Sequence, residues 1–285
     1  MGLYDRDYTQ ADSKGQYYGA PQMQFSFPRI TPVVKWLLLV NTAVYLLRVV
    51  LFQGGEGITP FETMFAVYPV SPLWALQVWR LVTYQFLHWD AGHIFFNMLG
   101  LFFLGPTLER YWGGKRFLLF YLSCGAVGGL FYLLLVAVKF LEAGPMAGAS
   151  GAILGMLSAC AILFPHFVVF ILFFPVPIRV AAVFFMLLYI ANILARHDNA
   201  GGDAAHLAGM ASGAVYVLSG PWREKIRLKL RSAAWERDID TSRKLQIELD
   251  RILAKVHDSG LHSLTAREKK ILKKATKVER KRYQL

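Results

Sequence analysis

Apolar runs too long for a water-soluble core are what most constrain this chain. Several reach roughly 17–25 residues, the length needed to cross about 30 Å of hydrocarbon, whereas a soluble domain breaks such runs at roughly 4–12. The overall make-up agrees: of 285 residues 55% are hydrophobic, and mean hydropathy is +0.38. The expected fold class is an all-α polytopic membrane protein. Both cysteines, Cys124 and Cys160, fall inside apolar runs. A disulfide is not expected, and two thiols are too few for a metal site, so neither metal nor cofactor is expected.

Residues 1–31 are polar, with Tyr4, Tyr8, Tyr17 and Tyr18 among Gly, Gln and Asp. They lack sustained periodicity and read as mostly disordered. No removable signal peptide is evident. Residues 32–220 form the membrane body. Six spans are expected, at 33–52, 93–112, 116–140, 150–164, 178–195 and 204–218, the fourth and sixth being short. Arg48, near the end of the first, is expected to snorkel to the interface. The connection 53–92 is rich in Phe, Tyr and Trp, which favour the headgroup layer, and predicts short interfacial helices. Residues 167–174 are apolar but too short to cross; Pro175 and Pro177 predict an extended interfacial piece.

Net charge is +12, unevenly placed: residues 221–285 hold 19 Lys and Arg against 9 Asp and Glu. Helical spacing of Trp222, Ile226, Leu230 and Ala233, then Thr265 with Glu268 as a capping box, predicts a basic helical tail. Basic residues favour the cytoplasmic side. The tail, Arg179 and the turn from Arg110 to Arg116 therefore put both termini in the cytoplasm, in a multi-pass protein of the cell (inner) membrane. Spans two, four and six then run from outside to inside. Their N-terminal ends, carrying His93 and Asn97, Ser150, and His206, share one depth near the outer face.

That convergence has chemical content. Ser150 stands among small residues, A-G-A-S-G-A-I-L-G from Ala147 to Gly155, at the head of an apolar run. A free hydroxyl is a weak nucleophile and needs a base. His206 is the histidine near the outer end of a later span, and an ionisable side chain inside a membrane is expensive enough to suggest function. Gly151 with Gly155, and Gly209 with Gly213, form G-x-x-x-G pairs that let helices approach closely in lipid. His206, Gly209 and Gly213 share one face. The Ser150 N–H at a helix start, His93 and Asn97 are candidate donors to an oxyanion. Helix packing and interhelical hydrogen bonds remain an alternative use of these groups. Asp203, three residues before His206, could be taken to complete a triad, but in a G-G-D turn it reads as a helix N-cap.

These stretches resemble the rhomboid family of intramembrane serine proteases. His88 to Asn97 (H-W-D-A-G-H-I-F-F-N) is similar to its H-x4-H-x3-N, Gly148-Ala149-Ser150-Gly151 to its G-x-S-G, and Ala205 to Gly213 to its A-H-x-x-G-x-x-x-G. Trp79-Arg80 resembles the W-R of its first loop, and Glu109-Arg110 the E-R pair closing the second span. The resemblance implies a six-helix core and a dyad without an acid. In it Ser150 is nucleophile, His206 base and then acid, and His93, Asn97 and the Ser150 N–H form the oxyanion hole, with the Ala149 N–H beside them. His88 would support the loop. One departure is Leu154, at the position where some members place a tyrosine against the catalytic histidine; Leu154 can still pack on the ring.

The implied substrates are transmembrane segments of other proteins, in the lipid bilayer. An inactive, client-binding relative would be expected to lack Ser150 or His206, and both are present. A transporter would show inverted repeats and an intramembrane charge path; neither is seen. The tail is expected on anionic headgroups, with a protein partner as the alternative. No nucleic-acid partner is expected.

Overall fold

The computed structural model describes residues 28–52, 58–69, 76–171, 174–197 and 199–282. The expected disorder of the N-terminal stretch falls almost wholly outside them, as does Trp74. The contacts divide the chain into two compact units, 1–214 and 215–285.

The first unit is built from helices α1 (Pro32–Leu51), α2 (Pro60–Phe65), α3 (Arg80–Thr83), α4 (Ala91–Trp112), α5 (Gly114–Ala137), α6 (Ser150–Leu163), α7 (Ile178–Leu194) and most of α8 (Ala200–Leu218). Strands β1 (Val168–Ile171) and β2 (Phe174–Pro177) pair antiparallel between α6 and α7. They form a hairpin where the sequence predicted one extended piece. Among the described residues three helices, α1, α4 and α5, are long and apolar enough to cross a membrane; α6 and α7 are apolar but shorter.

α6 is the axis of this unit. Every residue from Gly151 to Ala161 is buried, as expected of a helix apolar on all sides. Its neighbours turn large side chains outward: Phe95 and Phe96 on α4, Leu119 and Leu130 on α5, and Val183, Phe184 and Leu187 on α7 are all exposed. In water such a surface would be costly; in hydrocarbon it is the solvent-matched face.

Helix ends are satisfied from a distance. α1 opens on Pro32 with no side-chain cap of its own. Instead the buried Glu109 carboxylate, near the end of α4, accepts the Val33 N–H at 3.0 Å and the Val34 N–H at 2.9 Å, and also the Thr31 hydroxyl. A carboxylate there meets the unpaired donors and positive end of α1. Asp90 caps α4 by accepting the His93 N–H at 2.8 Å. Gly113, at φ +82° between α4 and α5, takes a backbone conformation that L side chains rarely adopt.

The connection before α4 packs against the helices. Arg48 pairs with the buried carboxylate of Glu62 and donates to the Trp89 carbonyl at 3.0 Å. Trp79 donates to the Met64 carbonyl at 3.3 Å, and Arg80 donates to the carbonyls of Ala66 and Thr63 at 2.7 and 2.5 Å. Together they staple α2 to α3. Tyr84 is 2% exposed, in the protein core and not at a surface.

The second unit consists of the end of α8 with α9 (Gly220–Ser259) and α10 (Ala266–Arg282). The predicted capping box is present: Thr265 N–H donates to Glu268 at 2.7 Å, and Glu268 N–H to the Thr265 hydroxyl at 3.3 Å. These bonds, with Lys255 at 3.0 Å, hold the Glu268 carboxyl down at about 2. Ile252, Leu264 and Ala275 are buried in this unit.

Candidate active site

The segment leading to Ser150 is fixed by backbone hydrogen bonds to the folded connection. Val67 and Met146 exchange two bonds, at 3.0 and 2.8 Å, and the Gly148 N–H donates to the Tyr84 carbonyl at 2.9 Å. The Tyr84 hydroxyl in turn donates to the Gly125 carbonyl of α5 at 2.6 Å. Gly148 sits at φ +129°, and a Cβ there would lie 2.6 Å from His93 Nε2 and 3.6 Å from Ser150 Oγ. Both conditions exclude a side chain, so glycine lets His93 approach the serine turn. Ser150 then opens α6, and its N–H has no carbonyl one turn back to bond.

α8 arrives against α6 backbone to backbone. A Cβ on Gly209 would lie 2.2 Å from the Gly151 carbonyl oxygen, and one on Gly213 2.2 Å from that of Gly155. Ser158 clamps the pair by donating to the Met210 carbonyl at 2.7 Å. On the same face, His206 Nε2 lies 2.7 Å from Ser150 Oγ, although 56 residues separate them in sequence. A hydroxyl so placed can pass its proton to the imidazole as its oxygen attacks.

A cleft of about 400 Å³ opens over this pair, lined among others by His93, Ser150, His206, Tyr84, Tyr132 and Glu142. Asn97, one turn beyond His93, and Ala149 are buried behind that lining at 6% and 0% exposure. The Asn97 amide nitrogen has no hydrogen-bond partner among the described residues, which leaves it free to donate. His88 is also buried, its ring edge-on to His93 with centroids 5.0 Å apart. Burial, then His93, pushes the His88 imidazole down to about 4, so it is neutral at ordinary pH. Trp79 and Arg80 do not line the cleft.

Two features were not visible in the sequence. Tyr189 of α7 sets its ring against His206, with centroids 4.7 Å apart and planes at 55°. The aromatic partner thus comes from α7, while Leu154 is buried within α6. Nothing in the apolar run around Tyr189 distinguishes it from a lipid-facing residue. Asp203 is not an N-cap. α8 begins at Ala200, four residues before the predicted start, and the Asp203 N–H already bonds the Asn199 carbonyl at 3.0 Å.

A model described as the Rhomboid domain matches residues 75–221, just over half of the chain and every residue discussed above from Trp79 to Gly213. The chain belongs to the rhomboid family. Rhomboid protease GluP of Bacillus subtilis is 33% identical over 141 residues, 50% of this chain and 24% of that protein. Rhomboid protein 1, mitochondrial, of Saccharomyces cerevisiae is 33% identical over 171 residues, 57% of this chain and 47% of its own length. RHOMBOID-like protein 12, mitochondrial, of Arabidopsis thaliana is 35% identical over 150 residues, 47% and 44% of the two chains. The rhomboid match thus spans less than half the length of each of these relatives. Residues 241–277, in the second unit, match a family of unknown function, DUF6576.

Proposed function

We propose that this chain is an intramembrane serine endopeptidase that cleaves other membrane proteins in or next to their transmembrane segments. The observation that carries the reading is the 2.7 Å contact between Ser150 Oγ and His206 Nε2 at the head of a buried helix, open to a cleft. Ser150 Oγ attacks the scissile carbonyl carbon while His206 Nε2 takes the hydroxyl proton. The Ser150 and Ala149 N–H groups, His93 and the unpaired Asn97 amide receive the developing oxyanion. The C–N bond then breaks, and His206 returns the proton to the leaving amine. Water, activated by the same imidazole, hydrolyses the acyl-enzyme.

The body is a six-span unit over residues 32–220, between a polar tail (1–31) and a basic helical tail (221–285), with both termini cytoplasmic in the cell membrane. α6 is short because protein surrounds it, so it need not match the bilayer. Substrate must offer extended backbone to the cleft. Helices weakened by Gly, Pro or polar residues, with small side chains at the cut, are the preferred substrates. The basic tail rests on anionic headgroups.

The test is labelling of the detergent-purified protein with a fluorophosphonate probe. The parent is expected to label, and Ser150→Ala and His206→Ala are not. A folded parent that fails to label would replace this reading with that of a client-binding, inactive relative.

A further inference from the structure

We infer that Glu142 is a specificity residue of the cleft, selecting membrane proteins that carry a lysine or arginine where the chain to be cut leaves the bilayer. The inference rests on the Ser150–His206 protease reading above. Among the described residues that line the cleft, Glu142 carries the one formal charge, the histidines apart. Its carboxylate belongs to none of the ion pairs among the described residues. Lys139, three residues earlier and exposed, does not pair with it, and neither Lys139 nor Arg196 lines the cleft. The position of Glu142 is held from both sides. Leu141 packs against the core cluster that includes Tyr132, Met146 and Ala205. Gly144 is pinned by the Tyr132 hydroxyl, which donates to its carbonyl at 2.7 Å and accepts its N–H at 2.8 Å. The Tyr132 ring is itself covered by the start of α8, where a Cβ on Gly201 would lie 2.7 Å from it. From Gly144 the chain runs through the bonded Met146 and Gly148 to Ser150. Glu142 and Ser150 thus stand at the two ends of one fixed segment, and both line the cleft.

A carboxylate with no cation paired to it attracts an ammonium or guanidinium group and repels another carboxylate. In the topology proposed above, residues 138–149 join the outer ends of α5 and α6. Glu142 therefore meets the part of a substrate just outside the hydrocarbon. Lys and Arg concentrate on the cytoplasmic flank of membrane spans, so few spans offer them on the outer flank. A carboxylate at this place passes over the majority and accepts that minority, discriminating by repulsion as well as by attraction. An ion pair this open to water is worth at most about 5-fold in affinity, and it weakens with salt.

The experiment uses the full chain in detergent and transmembrane substrates identical except at one residue on the outer side of the cut, which is Lys, Gln or Glu. The substituted position is moved outward from the cut one residue at a time. Competition between substrates in one reaction gives ratios of kcat/KM, so any loss of folded enzyme in a variant divides out. In the parent at low salt, Lys should be preferred to Glu by roughly 5- to 25-fold at the position that meets Glu142, attraction and repulsion acting together. The preference should shrink as salt is raised. Glu142→Gln should flatten the order of the three substrates, and Glu142→Lys should reverse it. A parent that cuts all three equally at every position overturns the role of Glu142 while the protease reading stands. So does a preference that neither variant alters. A parent that neither takes a fluorophosphonate probe nor cuts any of the substrates overturns the protease reading and this inference with it.

Discussion

The two walls of the cleft are built differently. The serine wall is tied by main-chain hydrogen bonds: Val67 to Met146, Tyr84 to Gly148, and Tyr132, whose hydroxyl both donates to the Gly144 carbonyl at 2.7 Å and accepts its N–H at 2.8 Å. The histidine wall meets the rest chiefly through packing. α8 is held by glycine-to-backbone contact with α6 and by the Ser158 clamp. Of α7, which supplies Tyr189, just Ile178 and Ala181 are buried. In the proposed reaction a nucleophile beside the Gly148 turn needs a fixed backbone, and a base that moves a proton twice needs the right ring orientation, which packing supplies with less constraint. The comparison teaches that errors on the serine wall should show as loss of fold, and errors on the histidine wall as loss of rate.

The largest expected effect lies where the walls touch. Gly209→Ala would place a Cβ 2.2 Å from a backbone oxygen that cannot move aside, so α8 must leave α6 and carry His206 out of reach. Labelling should fall at least about 100-fold, since misplacement by about 1 Å costs that much. Gly220→Ala is the control. A Cβ there meets nothing within 4 Å, and the variant should keep activity within a few-fold. Equal losses in the two variants would mean that contact between α6 and α8 has no special place in aligning the pair.

The serine wall also carries a pH signature through His88. Its imidazole titrates at about 4 in the folded protein against about 6.5 in an unfolded chain. Below pH 6.5 the unfolded state therefore takes up a proton that the folded state refuses. Stability from the neutral ring is complete above that pH and is lost as pH falls toward 4. At pH 5 the loss is about 2 kcal/mol. Thermal unfolding of the parent should drop between pH 7.5 and 5 relative to His88→Phe, which has nothing to titrate there. Parallel pH curves for the two proteins would show that His88 is not held neutral by burial.

What could be read from the sequence divides along the same line. The meeting of Ser150, His206 and His93 at one cleft was legible because each stands in an apolar run at a matching helix end, and because G-x-x-x-G spacing announces which helices touch. The capping box at Thr265 and Glu268 was legible because its two bonds depend on three-residue spacing alone. Tyr189 was not, since a tyrosine in an apolar helix looks the same whether it meets lipid or imidazole. Asp203 was read as an N-cap because G-G-D suggested a boundary after the glycines, whereas α8 begins at Ala200. The burial of Tyr84 was not legible either: composition assigns an aromatic ring in such a connection to an interface, while the Gly125 carbonyl gives its hydroxyl a partner in the core.

The smallest effect sharpens the comparison most, because it isolates orientation from fold. Tyr189→Leu removes the ring from His206 while keeping an apolar side chain on a helix that is largely exposed. The unfolding midpoint should stay near the parent's. An aromatic contact of this kind is worth about 0.5–1.5 kcal/mol, so kcat should fall roughly 2- to 10-fold at unchanged KM. Tyr189→Phe, which keeps the ring and drops the hydroxyl, should match the parent. If Tyr189→Leu instead lost stability along with rate, α7 would be as tightly built into the body as the serine wall, and the division between a backbone-fixed nucleophile and a packing-held base would fail. If Phe behaved like Leu, the hydroxyl and not the ring face would be what His206 uses.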